Sequence, residues 1–210
     1  MALQKLVLAS GNAGKLREFN ALLTPLQIEV FPQSAFNVPE ADEPFSTFIE
    51  NALAKARHAS QHTGLPALAD DSGICVPALG GAPGVYSALY AALEDGQAKS
   101  DARNNARLVR ELSQKYLQQA NAAAYYYCVL VLVRHPQDPQ PLIADGLWHG
   151  EIIAEPRGAG GFGYDPHFWL PALQQTAAEL SAEQKNTISH RGQAMQRLQT
   201  LIQNFLLSST

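Results

Sequence analysis

The chain has 210 residues, 46% hydrophobic and 16% charged, with 15 Lys and Arg against 19 Asp and Glu for a net charge of −4. These values exclude a disordered chain and, with no block of positive charge, a footprint for long nucleic acids. A small anionic ligand remains open, and an acidic protein that handles phosphates is expected to use a divalent metal. In chain order, residues 5–9 predict a buried strand, and residues 14–23 a helix with Leu16, Phe19, Leu22 and Leu23 on one face before Pro25 stops it. A strand follows at 27–31, then a Pro- and acid-rich loop at 37–44. Thr47 and Glu50 have capping-box spacing and open a helix that carries Phe48, Ile49, Ala52, Leu53 and Ala56 inward and ends near Gly64. A short strand at 67–69 runs into Asp70-Asp71-Ser72-Gly73, with 74–76 as its candidate continuation. Residues 79–84 form a glycine-rich turn, and 99–119 a helix with Ala102, Ala106, Val109, Leu112 and Tyr116 near one face. Residues 125–133 and 142–153 read as a hairpin-like pair of strands. A second glycine loop at 158–163 precedes a short strand through Leu170, and a last helix from near Ser189 buries Met195, Leu198, Ile202, Phe205 and Leu206.

Strands alternating with helices and then pairing as a hairpin predict an α/β fold with an elongated mixed β-sheet, in a single domain over 1–210 without internal repeats. The apolar stretch at 6–9 is too short for an export signal, and the longest apolar run is roughly half the ~20 residues a membrane helix needs. Cys75 and Cys128 lie in apolar surroundings and read as reduced thiols, so a cytoplasmic protein is expected, without membrane or nucleic-acid polymer as partner.

Three constellations carry possible chemistry. Ser10-Gly11-Asn12-Ala13-Gly14-Lys15 lies between a strand and a helix start, where backbone N–H groups and a lysine favour phosphate. It is not a Walker A loop, which has four residues between its glycines and Ser or Thr after the lysine. The alternative is an ordinary strand-to-helix turn. Between Arg17 and Lys55 there is no Lys or Arg, yet Glu18, Glu29, Glu40, Asp42, Glu43 and Glu50 are present. With Asp70 and Asp71 at a strand end, these acids suit Mg²⁺, although solvated loop acids are the plainer explanation. Asp71-Ser72-Gly73 also raises an aspartic protease dyad, but the triplet occurs once and nothing else prepares a peptide cleft. Finally, Phe162 and Tyr164 among glycines, followed by Asp165, Lys185, His190 and Arg191, could stack a planar base and read its edge. Burial in the core is the alternative for the two aromatics. His58 and His62 have zinc-pair spacing without a third ligand and read as surface residues.

Together, Ser10–Lys15, Thr47-Phe-Ile-Glu-Asn-Ala52 with Lys55, Ala69–Gly73, Leu79–Ser87, Gly160–Pro166, Thr176–Leu180 and Ile188–Gly192 resemble the inosine/xanthosine triphosphate pyrophosphatase family across nearly the whole chain. The resemblance implies two lobes with a central nucleotide cleft, a homodimer, and Mg²⁺-dependent hydrolysis of dITP, ITP and XTP to the monophosphate and pyrophosphate. It implies that Ser10, Gly11, Asn12, Ala13, Gly14 and Lys15 contact the triphosphate with help from Lys55. Asp71 would be the metal-linked general base. Ser72, Phe162, Gly163, Tyr164, Asp165, Lys185, His190 and Arg191 would touch the nucleotide. The family's paired glutamates align with Asp42 and Glu43, both candidate metal ligands with Asp71; the first of the pair is here Asp. The usual Ala-Arg-Tyr is here Ala88-Leu89-Tyr90, which removes a positive charge, and residues 93–103 also diverge. A 6-oxo purine presents an acceptor where adenine presents a donor, and a site with N–H donors there penalises adenine by roughly 1–3 kcal/mol. A non-catalytic nucleotide sensor would need the same loops but no carboxylate pair.

Overall fold

The computed structural model describes residues 3–116 and 121–208, apart from the side chains of residues 13, 114–116 and 208. Leu6, Val7 and Leu8 of the first strand, β1 (Lys5–Leu8), are fully buried. Such an unbroken apolar run suits a strand flanked on both sides in a parallel sheet. It lies between β2 (Glu29–Pro32) and β3 (Ala67–Cys75), parallel to both, with Leu6 opposite Val30 and Val7 opposite Ala67. Next come β4 (Ala122–Val133), β5 (Leu142–Ile152), β6 (Phe168–Leu170) and β7 (Gln175–Thr176). The seven form one sheet in the order β2-β1-β3-β4-β5-β6-β7, and the β5–β6 and β6–β7 pairs are antiparallel. The mixed sheet expected from the sequence is therefore present.

Helices flank it: α1 (Ala13–Leu23), α2 (Phe48–Thr63), α3 (Ala92–Asp95), α4 (Asp101–Tyr116), α5 (Ala182–Ile188) and α6 (His190–Ser208). The Thr47 hydroxyl caps α2 by accepting from the Glu50 N–H, and gives its own proton to the Glu50 carboxylate at 2.6 Å, a variant of the predicted capping box. The helix stops at Gly64, whose φ of +69° is the left-handed conformation of a C-cap. Its buried stripe is Ala52, Ala56 and Ala59, whereas Ile49 in the first turn is exposed.

On α4 the predicted inward face is displaced. Ala102 and Ala106 are exposed, and Asn104, Asn105, Leu108 and Leu112 are buried. Asn104 pays for its burial by bonding backbone: its Oδ1 accepts from Ala91 N and its Nδ2 donates to Ser87 O and Ala88 O. Residues 117–119 of the predicted helix, and the Tyr116 side chain, lie outside the described residues. The last helix begins at His190, as expected, but a separate α5 precedes it, capped by a reciprocal Ser181–Gln184 box.

The described residues divide into two compact units. One takes the chain up to Asp71, Cys128–Gly146 and the chain from Gln193; its core gathers Leu6, Leu8, Phe19, Leu68, Leu130 and Leu198. The other takes Ser72–Tyr127 and Leu147–Gly192, with Ile74, Leu108, Tyr126, Trp148 and Phe168 at its centre. Both cysteines are buried, and neither forms a disulfide among the described residues. No helix among the described residues is long and apolar enough to cross a membrane.

Candidate active site

Strand β3 does not stop at Ala69. It runs unbroken for nine residues to Cys75, so Asp70 and Asp71 lie within a strand and not beyond its end. Alternation directs successive side chains to opposite faces, and a different lysine meets each acid. Asp70, 2% exposed, accepts from Lys15 Nζ at 2.8 Å; Asp71, 8% exposed, stands 3.5 Å from Lys55 Nζ. A carboxylate buried in a strand would cost several kcal/mol, about the desolvation of an ion, without such partners. Lys55 also reaches Glu43, at 3.0 Å.

Burial raises the Asp71 pKa most, Lys55 opposes it, and the neighbouring Glu43 and Asp70 charges raise it further, to about 6. An Asn51 hydrogen bond favours the ionised form. For Lys55 burial works the other way, but Asp71, Glu43 and Asp70 outweigh it and hold the ammonium above the ordinary lysine value. Thus Glu43 and Asp71 converge on one cation, while Asp42 is exposed and makes no ion pair or hydrogen bond among the described residues. Two carboxylates fit Mg²⁺, which is held by one or two acids together with waters and substrate phosphates. No group of three His, Cys, Asp or Glu able to hold a metal occurs among the described residues.

The loop before α1 is organised by Asn12. Its Oδ1 accepts from Gly14 N at 2.8 Å and Lys15 N at 3.2 Å, and its own N–H donates to Ser10 Oγ. Asn12 is thus the N-cap of α1, a role that sequence reading did not separate from phosphate binding. Gly11 is exposed, Gly14 leaves room for the Asn12 side chain, and Ala13 opens the helix. Asn51, also missed, sits within the Thr47–Ala52 motif. Its amide clamps Phe45 on both sides, Oδ1 accepting from Phe45 N and Nδ2 donating to Phe45 O, two residues after Glu43.

The second group of candidates belongs to the other unit. Asp165 is buried at its centre: Oδ2 accepts from Phe162 N at 2.8 Å and pairs with Lys185, and Oδ1 accepts from Tyr126 OH at 3.4 Å. A Cβ on Gly161 would overlap that carboxylate. Asp165 therefore organises the loop and orients Lys185. Tyr164 is core, its hydroxyl on Ser87 O, whereas the Phe162 ring is 61% exposed with Lys185 Nζ 4.5 Å from its centroid. His190 is buried and stacks on Tyr126, ring centroids 4.8 Å apart and 9° from parallel. Arg191 follows it, half-buried, in the first turn of α6, and Ser72 is half-buried beside Asp71 in sequence. His58 Nε2 bonds Pro39 O and His62 Nδ1 bonds His58 O.

The fold is that of an α/β protein, with a strand-borne carboxylate and lysine centre in one unit and, in the other, an exposed aromatic ring with a lysine at its face. The sequence pattern of the Ham1 family matches residues 6–201, and the chain belongs to that family. It is 65% identical over 196 residues to a dITP/XTP pyrophosphatase of Ralstonia nicotianae, covering 93% of this chain and 95% of that one. To the dITP/XTP pyrophosphatase of Nitrosomonas europaea it is 64% identical, covering 93% of each. A solved HAM1 protein from Coxiella burnetii superposes with a TM-score of 0.89 at 48% identity, over 95% of this chain and 98% of that one.

Proposed function

We propose that this chain, acting as a single functional domain, hydrolyses dITP, XTP and ITP to the nucleoside monophosphate and pyrophosphate, with Mg²⁺ as cofactor, and so clears them from the nucleotide pool. The observation that carries the reading is the convergence of Asp71 and Glu43 on Lys55, beside an Asp70 that holds Lys15, in a chain whose relatives bear the name dITP/XTP pyrophosphatase.

Asp71 takes a proton from a water whose oxygen bonds to the α-phosphorus. The bond from that phosphorus to its bridging oxygen breaks, and the electron pair leaves with pyrophosphate. Lys15 and Lys55 neutralise the leaving charge, and Ser10, Asn12 and the backbone of residues 11–14 orient the phosphates. Held by Asp71 and Glu43, Mg²⁺ would draw charge from the phosphate oxygens. Phe162 stacks on the purine, while Lys185, His190 and Arg191 supply donors that favour a 6-oxo group over the adenine amine. Two buried thiols outside any disulfide accord with a reducing cytoplasm as the site of action, and the chain works as a homodimer, which light scattering would check.

Pyrophosphate release from dITP, XTP and dATP, with and without Mg²⁺, tests the reading. Release is expected from dITP and XTP only, and only with the metal. A nucleotide sensor would release none, and equal release from dATP would overturn the purine selectivity.

A further inference from the structure

One exposed aromatic ring and its loop are held by a helix that the proposed chemistry leaves unused. Gly163 stands between the exposed Phe162 and the buried Tyr164, at φ +61°. Two side chains of α4, one turn apart, grip it from both sides. Its N–H donates to Asp101 Oδ2 at 2.7 Å, and its carbonyl accepts from Asn105 Nδ2 at 2.8 Å. Those two groups belong to the peptides before and after Gly163, so both peptide planes are pinned at a residue that has the widest freedom to rotate. On either side, Phe162 N is bonded to Asp165 and the Tyr164 hydroxyl to Ser87 O.

Asn105 makes this contact at a cost. It is buried, and its Oδ1 has no hydrogen-bond partner among the described residues. A buried oxygen without a partner destabilises a fold, and an apolar residue there would remove the penalty. The amide is better explained by what its Nδ2 holds. We propose that Asp101 and Asn105 are positioning residues for purine binding: together they fix the Gly163 peptides and so present the Phe162 ring, with Lys185 at its face, as a rigid stacking platform. Neither residue touches the nucleotide. Both work by reducing the ordering that the loop would otherwise undergo on binding.

This inference rests on the proposed nucleotide reading, and its test uses the metal-independent product. Calorimetric titration with inosine monophosphate is made on the wild type, Asp101→Ala, Asp101→Asn, Asn105→Ala and Asn105→Asp, alongside KM and kcat for XTP. The grip needs an acceptor at 101 and a donor at 105. Asp101→Asn keeps an acceptor and is expected to bind nearly as the wild type does. Asp101→Ala, Asn105→Ala and Asn105→Asp are each expected to weaken binding on the order of tenfold and raise KM more than they lower kcat. Unchanged affinity in Asp101→Ala, which alters an exposed position, overturns the grip, as does Asn105→Asp binding like the wild type. A change in melting temperature without a change in affinity would assign the pair to stability alone and also overturns it. If the wild type binds no inosine monophosphate, the nucleotide reading itself falls.

Discussion

At Asp71 the same burial that suits a base works against the folded chain. Its pKa lies near 6 instead of 3.8, so between those values the folded state binds more protons than the unfolded one. Stability therefore falls as pH rises through that window, and above about 6 the full penalty, roughly 3 kcal/mol, is present. Asp71→Asn is expected to raise the melting temperature of the metal-free protein at pH 7, on the order of 10 °C, with the gain fading as pH falls from about 6 to 4 and gone below that. The same variant is expected to release no pyrophosphate, because the proposed proton acceptor is gone. Thermal melts across pH and a turnover assay check both halves. A variant with wild-type kcat would show that another group takes the proton.

Among the elements, β1, α1, β4 and β5 were legible because their apolar patterns are long and consistent. Errors arose where polar residues do structural work. Asp70 and Asp71 looked like the end of a strand, since two acids seldom lie inside one; Lys15 and Lys55, distant in sequence, help make the continuation tolerable. On α4, Asn104 and Asn105 face inward to bond backbone, which a hydrophobic count cannot register. The short α5 has no buried residue to betray it. In the candidate site, residue types and order were readable, but that Glu43 and not Asp42 reaches Lys55 depends on how the loop hangs from Asn51. Gly192 is a tight joint between α5 and α6, because a Cβ there would overlap the Asn186 carbonyl oxygen of α5. Gly192→Ala must therefore shift α5, which carries Lys185, against α6, which carries His190 and Arg191. A fall in melting temperature is expected together with a rise in KM for XTP, measured by fluorimetry and steady-state kinetics. An unchanged KM would mean that the joint serves stability only.

For the molecule as a whole, the net charge of −4 conceals an uneven distribution. Acids from a loop and a central strand are drawn onto one ammonium, and Glu43 and Asp70 both work against the ionisation of Asp71. On the proposed reading, a divalent cation bound there would relieve that repulsion and stabilise the entire fold by mass action, since the unfolded chain offers no such group. Mg²⁺ is thus expected to raise the melting temperature of the wild type and of Asp42→Asn, and to do so weakly or not at all in Glu43→Gln. Scanning fluorimetry over a Mg²⁺ series reads this without substrate. A response lost in Asp42→Asn and retained in Glu43→Gln would exchange their roles.

The two acids of β3 have a consequence for how the sheet assembles. Val7 lies opposite Ala67 and Leu8 opposite Leu68, and that alignment brings Asp70 to Lys15 and Asp71 to Lys55. A slip of one residue would exchange the faces of both carboxylates, and a slip of two would carry each past its lysine. Apolar strands alone tolerate the second error far better than the first. The chemical pair is therefore also a selector against mispairing during folding, and a chain that has found its lysines has its strands in register.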